Sequence, residues 1–119
     1  MKTKYRKTAN LSDDPGETSK STYEKFYKKC EDFLKTLLKE NLPENSQVFL
    51  FGSRARGDNS RNADIDIGVL SPKIDSKIII KIREIIEESF VPFKVDIVDF
   101  SEVNKTFKNE ALRSAIRWI

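Results

Sequence analysis

The 119 residues hold 22 lysines and arginines against 19 aspartates and glutamates, one cysteine and no histidine; that length suits one domain with its own core, excludes an intramolecular disulfide at Cys30, and removes Ser-His-Asp, Cys-His, HExxH and Cys/His metal chemistry together. Residues 1–29 carry 8 Lys/Arg against 4 Asp/Glu and residues 30–119 carry 14 against 15, so the body is near neutral, which argues against a nucleic-acid scaffold. No apolar run reaches membrane-spanning length and no apolar stretch follows the N-terminal lysines, so the expectation is a soluble protein in a reducing, cytoplasmic setting.

Residues 1–20 (MKTKYRKTANLSDDPGETSK) are polar, with Pro15 and Gly16, the composition of a mobile arm; the domain is expected over 21–119. From Ser21, Tyr23, Phe26, Tyr27, Cys30, Phe33, Leu34, Leu37 and Leu38 recur at spacings of three and four. That is an amphipathic helix, ended by Asn41 and Pro43. Gln47–Phe51 reads as a short buried strand bounded by Gly52, and Gly52–Asn62 is polar and glycine-punctuated. Asp64–Leu70 alternates at its start, the period of a strand with two different faces, and Ser71-Pro72 closes it. Helical spacing returns over residues 75–90 through Ile78, Ile79, Ile82, Ile85, Ile86 and Phe90. Phe93–Phe100 is a third strand carrying Asp96 and Asp99. Ser101 is a good N-cap for a last helix over Glu102–Trp118, whose stripe of Val103, Phe107, Ala111, Ala115 and Trp118 serves the core or an interface. The order is α-β-β-α-β-α, an α/β (α+β) class.

In the second strand Asp64 and Asp66 take one face and Ile65 and Ile67 the other. Alternate residues of an extended chain point the same way about 6.5–7 Å apart, so the two carboxylates can converge on one or two cations. Aspartate is a poor strand former, and folding alone gives no reason for two of them there. The pair also fits a merely solvated strand face, since D-x-D alone is weak. An EF-hand is excluded, because that loop needs ligands at its first, third and fifth positions and then glycine, whereas Gly68 follows Ile67.

The turn before it, Gly52-Ser53-Arg54-Ala55-Arg56-Gly57, has the parts of a phosphate site. Glycine lets the backbone approach a ligand, Ser53 adds a donor, and Arg54 or Arg56 neutralises phosphate charge. G-x-x-x-x-G-K-[ST] and G-x-G-x-x-G are both absent, so a different architecture is required.

Gly52-Ser53, ten residues, then Asp64-Ile65-Asp66 has the spacing G-S-x10-D-x-D, and GSRARGDNSRNADIDIGV resembles the minimal branch of the polymerase-beta-like nucleotidyltransferase superfamily; the resemblance extends over roughly residues 22–118. It implies a nucleotidyltransferase fold, a small mixed sheet of three to four strands with helices packed on it. It also implies a third carboxylate from a neighbouring strand, matched here by Asp96. Asp64, Asp66 and Asp96 would bind one or two magnesium ions, Gly52 and Ser53 with Arg54 or Arg56 would hold the triphosphate of ATP, and Asp96 would act as general base or hold the acceptor oxygen in line for attack on the α-phosphorus. Ala63 departs from the serine or threonine common before the first aspartate, which removes a hydroxyl and no ligand. Asp99, three residues past Asp96, falls on the opposite strand face and reads as a cap for the following helix.

A domain of this size leaves little for an acceptor pocket. In the minimal branch that part resembles a separate small all-helical HEPN-type protein, the toxin of a pair, on which the nucleotidyltransferase acts as antitoxin by adenylylating a tyrosine. Three rivals stand beside this expectation: the catalytic subunit of a split transferase modifying a small molecule such as an aminoglycoside, a non-catalytic module that neutralises its partner by contact, and transfer of nucleotides to nucleic acid, which the near-neutral body weakens.

Overall fold

The computed structural model describes residues 18–119, with side chains from Thr22 onward. The arm expected over residues 1–20 therefore lies outside the described residues except for its last three, which open the first helix. That helix, α1 (Thr18–Asn41), runs for 24 residues and buries Cys30, Leu34, Leu37 and Leu38, as their spacing requires. It also carries aromatics: Tyr27 meets Phe93 at a ring separation of 5.8 Å, Phe26 meets Phe90 at 6.1 Å and Phe33 meets Phe90 at 5.4 Å. Burial pushes the Cys30 thiol up to about 12, with the Arg54 charge pulling the other way, so Cys30 acts as a small apolar core residue.

Four strands follow, β1 (Gln47–Phe51), β2 (Ile65–Leu70), β3 (Val95–Asp99) and β4 (Ile116–Arg117), in the spatial order β3-β2-β1-β4. β1 is antiparallel to β2 and to β4, and β2 is parallel to β3. Parallel pairing needs a crossover, supplied by α3 (Ser76–Glu87), whose first turn is capped by the Asp75 carboxylate accepting from the Lys77 N–H at 3.0 Å. Period-two alternation then sorts the side chains. Val48, Leu50, Ile65, Ile67, Val69 and Ile97 share one face and are buried in a single cluster with Leu34 and Leu38 of α1 and Ile82 of α3. The other face pairs Phe51 with Asp66, Phe49 with Gly68, and Asp66 with Asp96. Phe100 covers part of it: its ring lies where a Cβ on Gly68 would stand, 5.5 Å from the ring of Phe51.

The last helix departs from its sequence reading at both ends. α4 (Lys105–Leu112) is capped by Asn104, whose side-chain oxygen accepts from the Phe107 N–H at 2.8 Å, and not by Ser101. Asp99 does not cap it either. Its carboxylate accepts from the Ser101 N–H at 3.0 Å and the Ser101 hydroxyl at 2.7 Å, tightening the turn after β3. Beyond Leu112 the chain leaves the helix, and Ile116 and Arg117 pair with Leu50 and Phe49. The outer edge of β1 would otherwise present unpaired N–H and C=O groups, and the tail satisfies them; the Trp118 N–H donates to the Val48 carbonyl at 2.7 Å. The expected stripe is thereby split. Trp118 packs against the core under the Lys35 ammonium, 5.4 Å from its ring centre, while Phe107 stays 42% exposed and Ile116 48%.

Candidate active site

β1 delivers the chain to Gly52, whose φ of +77° lies in the left-handed region that glycine enters without strain. A second demand falls on the same residue, because the Asp66 carboxylate occupies the space a Gly52 Cβ would take. The turn and the acid are therefore in contact through the missing side chain. One helical turn follows, α2 (Ser53–Arg56). The N–H groups of Ala55 and Arg56 both donate to the Gly52 carbonyl at 3.1 Å, and Gly57, also at positive φ, closes the turn onto the Ser53 carbonyl at 2.9 Å. The leading N–H groups of such a turn have no acceptor within it and are directed outward.

Asp64 stands just ahead of β2, Asp66 lies within it, and Asp96 is the register partner of Asp66 on β3. Paired residues of adjacent strands are about 4.8 Å apart and alternate residues of one strand about 6.5–7 Å, so backbone pairing brings all three to one end of the open face. Asp64 and Asp96 are exposed and Asp66 is half-buried. Burial pushes the Asp66 carboxyl above the ordinary carboxylate range; the charges of Asp96 and Asp64 push it further, and Arg56 and Lys94 oppose them. Crowded negative charge of this kind is relieved by a cation. The donors are all oxygen, which suits a hard divalent cation rather than the softer metals. Among the described residues no three acidic side chains are already gathered as a cage; the strands bring the carboxylates near one another, and final convergence is left to side-chain rotamers.

The two arginines of the turn have different surroundings. The structure turns Arg54, expected at the triphosphate, into the fold: its guanidinium stacks 4.5 Å from the Tyr27 ring and 4.7 Å from that of Phe93. Its Nε and one terminal nitrogen donate to the Ala63 carbonyl at 3.1 and 2.9 Å, that nitrogen also reaches the Arg61 carbonyl at 2.9 Å, and the other donates to the Tyr23 hydroxyl at 3.1 Å. It ties α1 to the loop that ends at Asp64. Arg56 is exposed, with an ion pair to Asp58 at 3.1 Å, and acts electrostatically on Asp66. Of the residues singled out from sequence, Gly52, Ser53, Arg56, Asp64, Asp66 and Asp96 are brought to one region, and Arg54 supports it from behind.

Beside this region lies a groove of about 230 Å³ lined by Phe51, Gly52 and Arg56 on one side and by Phe107, Glu110 and Ser114 of the last helix and its end on the other. Larger cavities of about 330 and 410 Å³ lie elsewhere, against Leu42 and Ile119 and against Arg83 and Phe93; neither is lined by Gly52 or Arg56, the two residues through which the smaller groove meets the turn. Sequence reasoning did not reach Phe107 or Glu110 as site neighbours, having read Phe107 as part of a continuous stripe. Only the folding of α4 against the end of β1 brings them to Gly52.

The family model described as polymerase beta, nucleotidyltransferase matches residues 28–117. A probable protein adenylyltransferase MntA of Haemophilus influenzae is 29% identical over 76 residues, 63% of this chain and 66% of that protein. The protein adenylyltransferase MntA of Shewanella oneidensis is 49% identical over 35 residues, 29% of this chain and 25% of that one. The matched stretches thus span less than two thirds of either relative. Among solved structures, a toxin-antitoxin crystallised with AMP-PNP superposes with a TM-score of 0.64 at 26% identity, covering 75% of this chain and 72% of that one. One described as a minimal nucleotidyltransferase superposes at 0.61 and 21% identity, covering 77% and 92%, and speaks for the fold alone.

Proposed function

Since the chain belongs to the polymerase beta nucleotidyltransferase family, we propose that it transfers AMP from ATP to an acceptor hydroxyl, a tyrosine of a HEPN-type helical toxin, and so acts as an antitoxin. The observation that carries this reading is the contact of Gly52 with the Asp66 carboxylate while Asp66 pairs in register with Asp96. A phosphate-approaching turn and an acidic cation site are thereby joined at one point. The relatives' description as protein adenylyltransferases, and the toxin-antitoxin with AMP-PNP, support the donor and the kind of partner.

In this reading Gly52, the Ser53 hydroxyl and Arg56 bind the triphosphate and offset charge on the departing pyrophosphate. Asp64, Asp66 and Asp96 would hold magnesium, which would supply electrostatic stabilisation of the charge developing on the transferred phosphoryl group. The acceptor oxygen bonds to the α-phosphorus as the bond from that phosphorus to the bridging oxygen breaks, and the exposed Asp96 carboxylate takes the hydroxyl proton. Arg54 and Tyr23, through the Ala63 and Arg61 carbonyls, hold the backbone that delivers Asp64.

The test is ATP labelled at the α-phosphorus, with magnesium and the co-purifying partner. Label should appear on a partner tyrosine with the native protein and fall by at least roughly a hundredfold with Asp64→Asn. If Asp64→Asn labels the partner as well as the native protein does, or if neither moves label while both still neutralise the toxin, the transferase reading is wrong.

A further inference from the structure

The groove beside the phosphate turn is not used by the chemistry described so far. We propose that it seats the base of the donor nucleotide, with Phe107 as the stacking surface and Glu110 accepting a hydrogen bond from the base's exocyclic amine. The inference rests on the nucleotidyltransferase reading of the neighbouring turn and adds to it the residues that recognise the base.

Continuity is the first support. The groove begins at Gly52 and Arg56, two residues of the triphosphate turn, so a nucleotide whose phosphates lie on that turn has its nucleoside beside this groove. The second support is the state of Phe107. Its ring stands edge-on to Phe51 at 6.1 Å and 89° and is 42% exposed. An aromatic ring open to solvent in a groove is the kind of surface on which bases stack. Third is the polar character of the same wall. Glu110 forms an exposed ion pair with Arg113, one of whose guanidinium nitrogens donates to its two carboxylate oxygens at 3.0 and 3.3 Å. A carboxylate has about four lone-pair sites, so acceptor capacity remains for an amine of adenine. The roughly 230 Å³ available suits a single base.

The experiment uses the full chain with magnesium and three probes: an ATP analogue with a methylene between its α and β phosphorus atoms, the corresponding analogue of purine riboside triphosphate, which lacks the 6-amine, and inorganic tripolyphosphate. Affinities are read by calorimetry. Phe107→Ala should weaken the ATP analogue by about tenfold and leave tripolyphosphate unchanged. Ala111 also lines the groove, and Ala111→Trp, which fills that space while keeping Phe107 and Glu110, should give the same selective loss. Glu110→Ala should abolish the native preference for the ATP analogue over the amine-free one. Native protein that binds the ATP analogue no tighter than tripolyphosphate, or Phe107→Ala and Ala111→Trp variants that bind it normally, overturn the base site and leave the triphosphate reading standing. Should those variants keep normal nucleotide affinity but fail to label the partner, the groove belongs to the acceptor and the inference is likewise overturned. Native protein that binds none of the three probes removes the transferase reading, and this inference with it.

Discussion

On the face of the sheet turned toward α1 and α3, Val48, Leu50, Ile65, Ile67 and Val69 are no more than 3% exposed. On the opposite face the same strands carry Phe49, Phe51, Asp66, Gly68 and Asp96, covered in part by Phe100. One backbone serves both because side chains alternate along it, so a residue's parity decides whether it is selected for packing or left available for a ligand. The difference teaches that stability and chemistry can be separated here to single-residue precision along β2, where Ile65 and Ile67 hold the core and Asp66 between them holds none of it.

Breaking the packed face should have the largest effect. Ile67→Ala removes a fully buried side chain from the centre of β2 and should cost about 3 kcal/mol, read as a fall of roughly 10–20 °C in Tm. The boundary between the faces comes next. Arg54→Ala deletes two ring contacts and its carbonyl hydrogen bonds, an expected loss of about 2 kcal/mol in denaturant unfolding, and Arg54→Lys should not restore it because an ammonium lacks the planar fork. Arg56→Ala, two residues on and exposed, should stay within about 0.5 kcal/mol of the native protein. If the two alanine variants proved equally stable, the structural role of Arg54 would be lost.

A smaller effect is expected where the open face is packed. Gly68→Ala pushes a methyl into the Phe100 ring and should destabilise by about 1–2 kcal/mol, with Phe100→Leu recovering part of it in the double variant. The smallest change should be a gain. Asp66 is held above the ordinary carboxylate range by burial and by Asp96 and Asp64, so the folded state binds its proton more tightly than the unfolded state does. Its ionisation therefore destabilises the fold, beginning as pH rises past the unfolded value of about 3.9 and complete above the raised folded one. In a chelating buffer Asp66→Asn should melt above the native protein at pH 7, and the two curves should converge as the pH is brought below about 4. A native protein that matches or exceeds the Asn variant at pH 7 would contradict the crowding of charge.

Much of this molecule was legible from the chain alone. Apolar spacing identified the two long helices and the three principal strands, since their patterns follow directly from 3.6- and 2-residue periods. The alternation of Asp64, Ile65, Asp66 and Ile67 also distinguished the acidic face from the core face before any pairing was known. Two readings failed where distant parts of the chain decide. Helical spacing continues through Ala115 and Trp118, but the free edge of β1 captures Ile116 and Arg117, since unpaired strand groups outweigh a local preference. Arg54 and Arg56 look interchangeable in a polar turn; Tyr27 and Phe93, 27 and 39 residues away in sequence, take the first into the fold and leave the second beside Asp66. What the sequence by itself determined was which residues face which way along each element, because that depends only on local period. Which elements meet, and hence that Asp96 reaches Asp66 and that Phe107 stands beside Gly52, was decided only by tertiary structure, because strand order and edge satisfaction are properties of the whole chain.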